Sequence, residues 1–380
     1  MPPDPARTVP IPARLLSLDA FRGLTMAAMV IVNNPGDWAH VYSPLLHAEW
    51  HGCTPTDLVF PFFLFIVGVS ITLSSKSASP ARIGSRSAKL VGLGLFLAGF
   101  PRFNPAHWRL PGVLQRIGLC YLGAALLYRW SLPRADQPDR IASTAWRVGL
   151  AAAVALVGYW AVLLLVPGAA GQRYDLTPEG NVGARLDRAL MAGHLWKSAW
   201  DPEGLLSTVP ALGTTLAGVL AGLWLKTSRA GWPRAAGLAA GGAAAAAVGL
   251  AWSLVLPLNK SLWTSSYALY TAGLGAIVLA ACYVVVDLWG ARRLAYPLVV
   301  LGTNAIALFV LSGLLTKITL VVRVTLADGS GVAWRTWAYR RFFEPLASPV
   351  NASLLYAVAN LALLYVVLWV MYKRGVFLKV

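Results

Sequence analysis

The stretch that decides the fold is residues 33–68, NNPGDWAHVYSPLLHAEWHGCTPTDLVFPFFLFIVG. It leaves one apolar segment, forms a loop without Lys or Arg, and enters a second apolar segment near residues 56–75. An apolar run of about 20 residues is long enough for a helix to cross a membrane. Polar side chains gather where the loop meets these segments, among them Asn33, His47 and Asp57. The stretch therefore predicts a pair of membrane-spanning helices with a polar site at their junction.

Composition assigns the whole chain to the same class. Hydrophobic residues make up 57% of the 380 residues, and charged residues only 12%. About ten apolar runs satisfy the sliding-window criterion for membrane spans. They lie near residues 17–33, 56–75, 87–101, 111–129, 147–166, 208–225, 234–256, 264–287, 295–314 and 352–371. Because the runs lack strict alternation and contain many small residues, we predict helices rather than barrel strands, and hence an all-α integral membrane protein.

The distribution of Lys and Arg predicts the orientation of this bundle. The short segments on the N-terminal side of the membrane hold most of the basic residues outside two long loops at 167–207 and 315–351. By the positive-inside rule, both termini face the cytoplasm. We expect residues 1–16, which are Pro-rich, to form a cytoplasmic arm, and residues 17–380 to form a single transmembrane domain. Asp19 and Arg22 interrupt the first apolar run, which argues against a cleaved signal peptide.

Charge and cysteine content exclude other classes of function. The net charge of +17 is dispersed among short loops, so we assign it to topology and to anionic lipids rather than to nucleic acid. The three cysteines, Cys53, Cys120 and Cys282, lack metal-ligand spacing and cannot all pair with one another. We expect neither a disulfide framework nor a metal site.

Polar residues cluster at the helix ends that this topology places away from the cytoplasm. The clusters lie at residues 33–57, 115–116, 201–207 and 259–267. Their shared side predicts one polar pocket lined by several helix termini. Histidine titrates near neutral pH, so His47 suits the removal of a proton from a nucleophile. Asp57 would orient the imidazole, and Asn33 would stabilise an oxyanion, which together indicate acyl transfer.

Several separated segments, in order, resemble the family of heparan-α-glucosaminide N-acetyltransferase and its bacterial relatives. They are RLLSLDAFRGLTM, VNNPG, HAEWHGCTPTDLVFPFFLFIVG, GVLQRIGLCYL, YDLTPEGN, WDPEGLLSTVPALGT and NKSLWTSSYALYTAG, and they cover nearly the whole chain. The resemblance implies transfer of an acetyl group from cytosolic acetyl-CoA to the amino group of a terminal glucosamine across the membrane. It also implies a bacterial inner-membrane location, with the active-site histidine on the periplasmic side.

The resemblance assigns roles to particular residues. His47 matches the active-site histidine, Asp57 the aspartate before LVFP, and Asn33 the asparagine that ends the preceding helix, with Asn34 as the alternative. Beside the resemblance, the polar and aromatic residues at the helix ends predict substrate binding by Asp201, Glu203, Lys260, Trp263 and Ser265. The predicted acetyl-CoA-binding residues are Arg22, Gln115 and Arg116.

The sequence leaves several alternatives open. A secondary transporter for a sugar or amino sugar would also need intramembrane polar residues and a pocket, although no repeat between the halves supports one. Whether the acetyl group passes through an acetyl-histidine or moves directly in a ternary complex is not decided. The acceptor is glucosamine or a glucosamine-containing saccharide, and a homodimer is compatible with the sequence, which identifies no interface.

Overall fold

A computed structural model describes residues 15–74, 79–133, 140–227 and 229–378. The predicted arm at residues 1–16 lies outside these ranges except for its last two residues. The helices are α1 (Leu16–Asn33), α2 (Val59–Leu73), α3 (Pro80–Gly99), α4 (Val113–Ser131), α5 (Arg140–Leu165), α6 (Val182–Met191), α7 (Thr208–Leu225), α8 (Trp232–Trp252), α9 (Ser265–Cys282), α10 (Arg292–Thr303), α11 (Ala305–Val321), α12 (Trp334–Ala338) and α13 (Pro349–Lys373).

Short elements connect these helices. Two strands, β1 (Arg323–Thr325) and β2 (Gly331–Ala333), form an antiparallel hairpin in which Arg323 pairs with Ala333. A 3₁₀ turn over Pro55–Leu58 leads into α2, and a π-helical segment, Tyr283–Leu288, continues α9. Arg335 in α12 donates a hydrogen bond of 2.6 Å to the carbonyl oxygen of Pro35, which fixes the chain just after α1.

The described residues confirm a helical membrane bundle but not the predicted ten spans. Seven helical segments are long and apolar enough to cross a membrane: α1, α2 with its 3₁₀ turn, α5, α7, α8, α9 with its π segment, and α13. The pair α10 and α11, bent by 69°, would be an eighth span.

Helices α3 and α4 do occupy the predicted runs at 87–101 and 111–129, but they are more polar than the other spans. Three basic residues, Arg82, Arg86 and Lys89, fall within α3, and α4 contains Arg116 and Arg129. Because of these charges, α3 and α4 are not among the helices that are long and apolar enough to cross a membrane.

The bend between α10 and α11 lies at Asn304, inside the apolar run predicted as one helix. The Asn304 side chain donates to the carbonyl oxygen of Val376 at 3.0 Å and accepts from the backbone N–H of Leu378 at 3.0 Å. It thereby satisfies backbone groups of the segment after α13, which packs against the break.

Close packing of α2 against α7 positions the two loops that carry the site. Gly68 and Gly218 face one another, and a Cβ at either residue would overlap the backbone of the opposite helix. Small residues allow membrane helices to approach closely. The contact brings the 34–58 loop, which precedes α2, close to residues 201–207, which precede α7.

Candidate active site

The side chain of Asp57 organises the loop that precedes α2. Its Oδ2 atom accepts hydrogen bonds from Thr54 N at 3.0 Å, Thr54 Oγ1 at 3.0 Å and Ala48 N at 3.1 Å. Tyr267 in α9 donates to the backbone carbonyl of Asp57 at 2.6 Å. The carboxylate is 1% exposed, yet its oxygens are satisfied, so the cost of burying it is offset.

The second carboxylate oxygen of Asp57 holds His47. The distance from Asp57 Oδ1 to His47 Nδ1 is 2.7 Å, and the histidine side chain is 50% exposed. Because a carboxylate accepts, the neutral imidazole carries its hydrogen on Nδ1 in this pair. Nε2 is then the nitrogen that can take a proton from another group, which is the orientation expected of a general base.

Lys260 lies against the same imidazole. Its Nζ is 3.0 Å from Nδ1 and 3.1 Å from Nε2 of His47, and 3.7 Å from Asp57 Oδ1. The turn that carries Lys260 is closed by Asn259, whose Oδ1 accepts from Leu262 N at 2.8 Å. Burial lowers the pKa of Lys260, although the charges of Asp57 and Glu203 oppose this effect. The site therefore combines an imidazole, a carboxylate and an amine within hydrogen-bonding reach.

These three residues line a cavity of about 720 Å³, which we call the histidine cavity. Its lining includes the charged and strongly polar residues Asn33, His47, Glu49, Asp57, Arg109, Lys197, Glu203 and Lys260. Four tryptophans also line it, namely Trp38, Trp50, Trp196 and Trp200. Trp50 and Trp200 meet edge to face with ring centroids 5.1 Å apart, and Trp196 and Trp200 do so at 5.9 Å. Such a lining offers both flat apolar faces and hydrogen-bonding groups.

The two neighbouring asparagines occupy different environments. Asn33, at the end of α1, is exposed and lines the histidine cavity. Asn34 is buried, donates to Val30 O at 2.9 Å and accepts from Thr316 Oγ1 at 2.6 Å. Asn34 therefore joins α1 to α11, and Asn33 is the asparagine in position to contact a substrate.

A buried ion-pair cluster forms another part of the cavity wall. Arg109 donates to Asp201 through Nε at 2.8 Å and through Nη2 at 2.6 Å, and it also bonds Glu203. Asp201 accepts two further hydrogen bonds, from Trp196 N at 2.7 Å and Glu203 N at 2.9 Å. Burial lowers the pKa of Arg109, but its bonds to the two carboxylates outweigh this and raise the pKa overall. Glu203 lines the cavity, whereas Asp201 supports it from behind.

Sequence reasoning did not single out Arg109, which it treated only as a loop charge. The signal that could have found it is charge complementarity: one Arg beside Trp108, just before α4, faces the two carboxylates of the DPEG segment at 201–204. Both segments lie on the same predicted side of the bundle. The four tryptophans were likewise not assigned, because two of them lie in the 34–58 loop and two in the 167–207 loop, which are distant in sequence.

The remaining predicted site residues lie in the core. Arg116 is 1% exposed, donates to Gly204 O at 2.9 Å and to Ser207 Oγ, and lies 5.2 Å over the ring of Trp263. Trp263 is buried and donates to Thr214 Oγ1 at 3.1 Å. Arg116 and Trp263 line neither this cavity nor the one described next, and they stabilise the segment that carries Glu203.

Ser265 and Gln115 are also buried away from the cavities. Ser265 donates to Leu156 O at 2.6 Å, a bond that joins α9 to α5. Gln115, near the start of α4, is 8% exposed and lines neither cavity. The structure thus brings together His47, Asp57, Asn33, Lys260 and Glu203, and it separates Gln115, Arg116, Trp263 and Ser265 from them.

A second cavity, of about 670 Å³, lies at the other end of the same helices, and we call it the basic cavity. Its cationic lining residues are Arg22, Arg82, Arg86 and Lys89. Arg22 donates to Asp19 Oδ1 at 2.9 Å and to Ser70 Oγ at 3.0 Å. Arg86 lies 4.8 Å over the ring of Tyr121. Clustered guanidinium and ammonium groups of this kind suit phosphate oxygens.

One layer of side chains separates the two cavities. Phe63, Leu114, Ile117 and Ile306 line both of them. All four are apolar and come from α2, α4 and α11. The cavities therefore lie back to back within the bundle, with an apolar wall between the basic groups and His47.

Other candidate chemical groups lie outside this arrangement. His40 pairs with Asp37 at 2.7 Å, and His194 Nδ1 lies 2.8 Å from Trp108 O, but neither histidine lines the two cavities. Burial raises the pKa of the Cys53 thiol to about 12, so it is not a reactive thiolate at neutral pH. Within the described ranges, no group of three His, Cys, Asp or Glu side chains is arranged to hold a metal ion.

Comparison with known proteins adds an independent line of evidence. The family model described as heparan-alpha-glucosaminide N-acetyltransferase, catalytic, matches residues 14–135, which include Asn33, His47 and Asp57. The chain is 31% identical to the heparan-alpha-glucosaminide N-acetyltransferase of Homo sapiens, over 79% of this chain and 53% of the relative. It is 30% identical to the protein of the same name from Mus musculus, over 78% of this chain and 53% of the relative. The chain thus spans about half the length of the relatives it matches.

Proposed function

Because residues 14–135 match the heparan-α-glucosaminide N-acetyltransferase family and most of the chain resembles its members, we propose the following reaction for this protein. The protein transfers an acetyl group from acetyl-CoA to the amino group of glucosamine or of a saccharide that contains glucosamine. The observation that carries this proposal is the placement of the His47–Asp57 pair in one cavity, back to back with a cavity lined by four cations.

The basic cavity is the proposed donor site. Arg82, Arg86 and Lys89 would bind the phosphates of acetyl-CoA, as charged donors commonly bind phosphate. Its pantetheine arm would then pass the apolar wall toward His47. Because Phe63 and Ile306 belong to that wall, an uncharged thioester can cross it at much lower cost than a phosphate.

The histidine cavity is the proposed acceptor site. His47 would take a proton from the acceptor amine through Nε2, while Asp57 holds Nδ1 and stabilises the imidazolium that forms. Asn33, exposed on the same cavity, would donate a hydrogen bond to the carbonyl oxygen as it gains negative charge. Glu203 and the flat faces of the tryptophans would hold the sugar hydroxyls and ring.

Orientation follows from the two cavities under this proposal. Acetyl-CoA is cytosolic, so the basic cavity faces the cytoplasm together with both termini. The histidine cavity then opens on the opposite, periplasmic side of a bacterial inner membrane. The surplus of basic residues in the short segments on the termini side supports this arrangement.

The test is acetyl transfer from labelled acetyl-CoA to glucosamine by the purified protein in detergent. We expect transfer by the wild type and a loss of about 10²-fold or more in His47→Ala, the range of general-base catalysis. His40→Ala is the matched control, because His40 pairs with Asp37 at the same 2.7 Å but lies outside both cavities. Equal activity of wild type and His47→Ala would contradict the proposal.

Transport of an amino sugar is the second candidate function. The observation in its favour is that two cavities at opposite ends of the bundle share one apolar wall. Glucosamine uptake into proteoliposomes without acetyl-CoA, unchanged in His47→Ala, would establish it. If uptake requires acetyl-CoA, or if there is no uptake, acetyl transfer remains the proposed function.

A further inference from the structure

The amine of Lys260 occupies the place beside His47 that an acceptor amine must enter. We propose that Lys260 is a site of self-acetylation: when no acceptor is bound, the acetyl group of the donor is transferred to its Nζ. This inference rests on the proposed acetyl transfer and adds a modification site and a form of self-inhibition to it.

Geometry is the first support. A group that gives its proton to an imidazole must lie within about 2.6–3.2 Å of a ring nitrogen. Lys260 Nζ lies within this range of both ring nitrogens, at 3.1 Å from His47 Nε2 and 3.0 Å from Nδ1. A lysine side chain ends in a primary amine, as does the 2-amino group of glucosamine. The cavity therefore holds a built-in amine of the chemical class that the proposed reaction acetylates.

The environment of Lys260 favours its reactive form. Its side chain is 21% exposed, and burial lowers its pKa against the opposing charges of Asp57 and Glu203. A lower pKa increases the fraction of neutral amine, which is the form that attacks a carbonyl. His47, only half exposed and held by Asp57, is fixed next to that amine. Catalyst and nucleophile are thus positioned before any acceptor arrives.

The chemical step is balanced without a further reactant. The neutral amine of Lys260 attacks the thioester carbonyl of acetyl-CoA, so that an N–C bond forms and the C–S bond breaks. One amine proton passes to His47 Nε2 and then to the departing thiolate. The products are N-acetyl-Lys260 and the free thiol of CoA.

Acetylation of Lys260 would block the acceptor site. The modified side chain is uncharged and larger, and it remains bound covalently next to His47. A protein supplied with donor but no acceptor should therefore lose activity with time. Glucosamine should protect it, because an acceptor amine beside His47 displaces Lys260 and consumes the acetyl group.

The same cavity offers an internal control. Lys197 also lines it, is exposed, and lies 5.1 Å over the ring of Trp196 rather than beside His47. Uncatalysed acetylation by acetyl-CoA favours exposed lysines, so it should modify Lys197 at least as fast as Lys260. Faster modification of the less exposed Lys260 would then identify catalysis by His47.

The experiment incubates purified full-length protein with isotopically labelled acetyl-CoA, with and without glucosamine, and maps acetylated peptides by mass spectrometry. Acetyl transfer to glucosamine is measured on the same samples. We expect Lys260 to be labelled faster than Lys197, with glucosamine suppressing the label. In His47→Ala, checked for folding by size-exclusion chromatography, labelling of Lys260 should fall about 10²-fold or more.

A Lys260→Arg variant keeps the positive charge but removes the primary amine. Whatever its activity at the outset, it should not lose activity during incubation with acetyl-CoA alone, whereas the wild type should. Three results would overturn the inference. They are an absence of label on Lys260 in the sample without glucosamine although the same protein acetylates glucosamine when it is supplied, labelling of Lys260 no faster than Lys197, and labelling unaffected by His47→Ala. Absence of both glucosamine acetylation and Lys260 label would instead refute the proposed function, and the inference with it.

Discussion

The histidine cavity and the basic cavity are similar in volume, about 720 and 670 Å³, and share one wall, but their cationic side chains are paired differently. Two cations of the histidine cavity pair with buried carboxylates, Arg109 with Asp201 and Lys260 with Asp57, whereas Lys197 is exposed. In the basic cavity Arg82 and Lys89 are exposed on the lining. Around His47 the cations are therefore neutralised by neighbouring carboxylates, whereas the basic cavity, apart from Arg22 paired with Asp19, presents positive charge to whatever enters.

This difference predicts how substitutions divide between the two. A change in the histidine cavity breaks a pair that already exists in the free protein, so it should affect turnover, or else stability measured without any ligand. A change in the basic cavity removes a charge that acts on the donor, so it should affect donor binding alone. The predictions below test this division, beginning with the largest expected effect.

Asp57→Asn should reduce kcat by about 10²–10⁴-fold, because the amide no longer fixes the imidazole hydrogen on Nδ1 or stabilises the imidazolium. The KM for acetyl-CoA should change little, since the donor phosphates bind in the other cavity. Steady-state kinetics with glucosamine measures both constants. Asp37→Asn, which alters the equivalent partner of His40, should retain wild-type kcat. A large rise in donor KM with unchanged kcat would contradict the division.

Arg109→Ala should destabilise the protein by about 3 kcal/mol, because it leaves the buried carboxylate of Asp201 without its bidentate partner. Thermal unfolding in detergent, without substrates, measures this loss. Arg102→Ala removes an exposed charge from the same loop and is the control. Equal melting temperatures for the two variants would mean that the cluster is not a stabilising element of the cavity wall.

Arg82→Ala should raise the KM for acetyl-CoA about tenfold, since a hydrogen bond to a charged group contributes about 1.5–3 kcal/mol. Both kcat and the KM for glucosamine should stay near wild-type values. Lys373→Ala is the matched control, because Lys373 is an exposed basic residue at the end of α13 that does not line the basic cavity. An effect on glucosamine KM instead of donor KM would place the donor elsewhere.

Hydropathy correctly predicted a bundle of helices in a membrane, but it did not predict the number of membrane spans. Each predicted apolar run contains helical residues, because a membrane segment must satisfy its backbone hydrogen bonds internally. Hydropathy could not show that Asn304 interrupts the ninth run, since its partners Val376 and Leu378 are more than 70 residues away in sequence. It also gave no sign of α6 within the long 167–207 loop.

The residues of the site could also be predicted only in part. His47, Asp57 and Asn33 flank one loop, so their proximity could be predicted from local sequence and is seen in the structure. Trp263 and Ser265 were expected in the pocket because polar and aromatic residues at helix ends resemble a lining. Which face of a helix end points into a cavity depends on how the helices pack. That packing could not be predicted from the pattern of polar and apolar residues.

Asp187, behind the wall of the histidine cavity, should make stability depend on pH. Burial raises the pKa of Asp187 to about 6, against a hydrogen bond from Leu205 N that lowers it. Since the folded state holds this proton more tightly than the unfolded chain, stability falls as pH rises from about 4 to about 6 and stays reduced above that. Asp187→Asn keeps an acceptor for Leu205 but does not ionise, so its melting temperature relative to wild type should rise over this interval. Glu179→Gln, an exposed change in the same loop, should follow the wild type at every pH. A constant difference between Asp187→Asn and wild type from pH 4 to 7 would show that burial of Asp187 is not linked to its protonation.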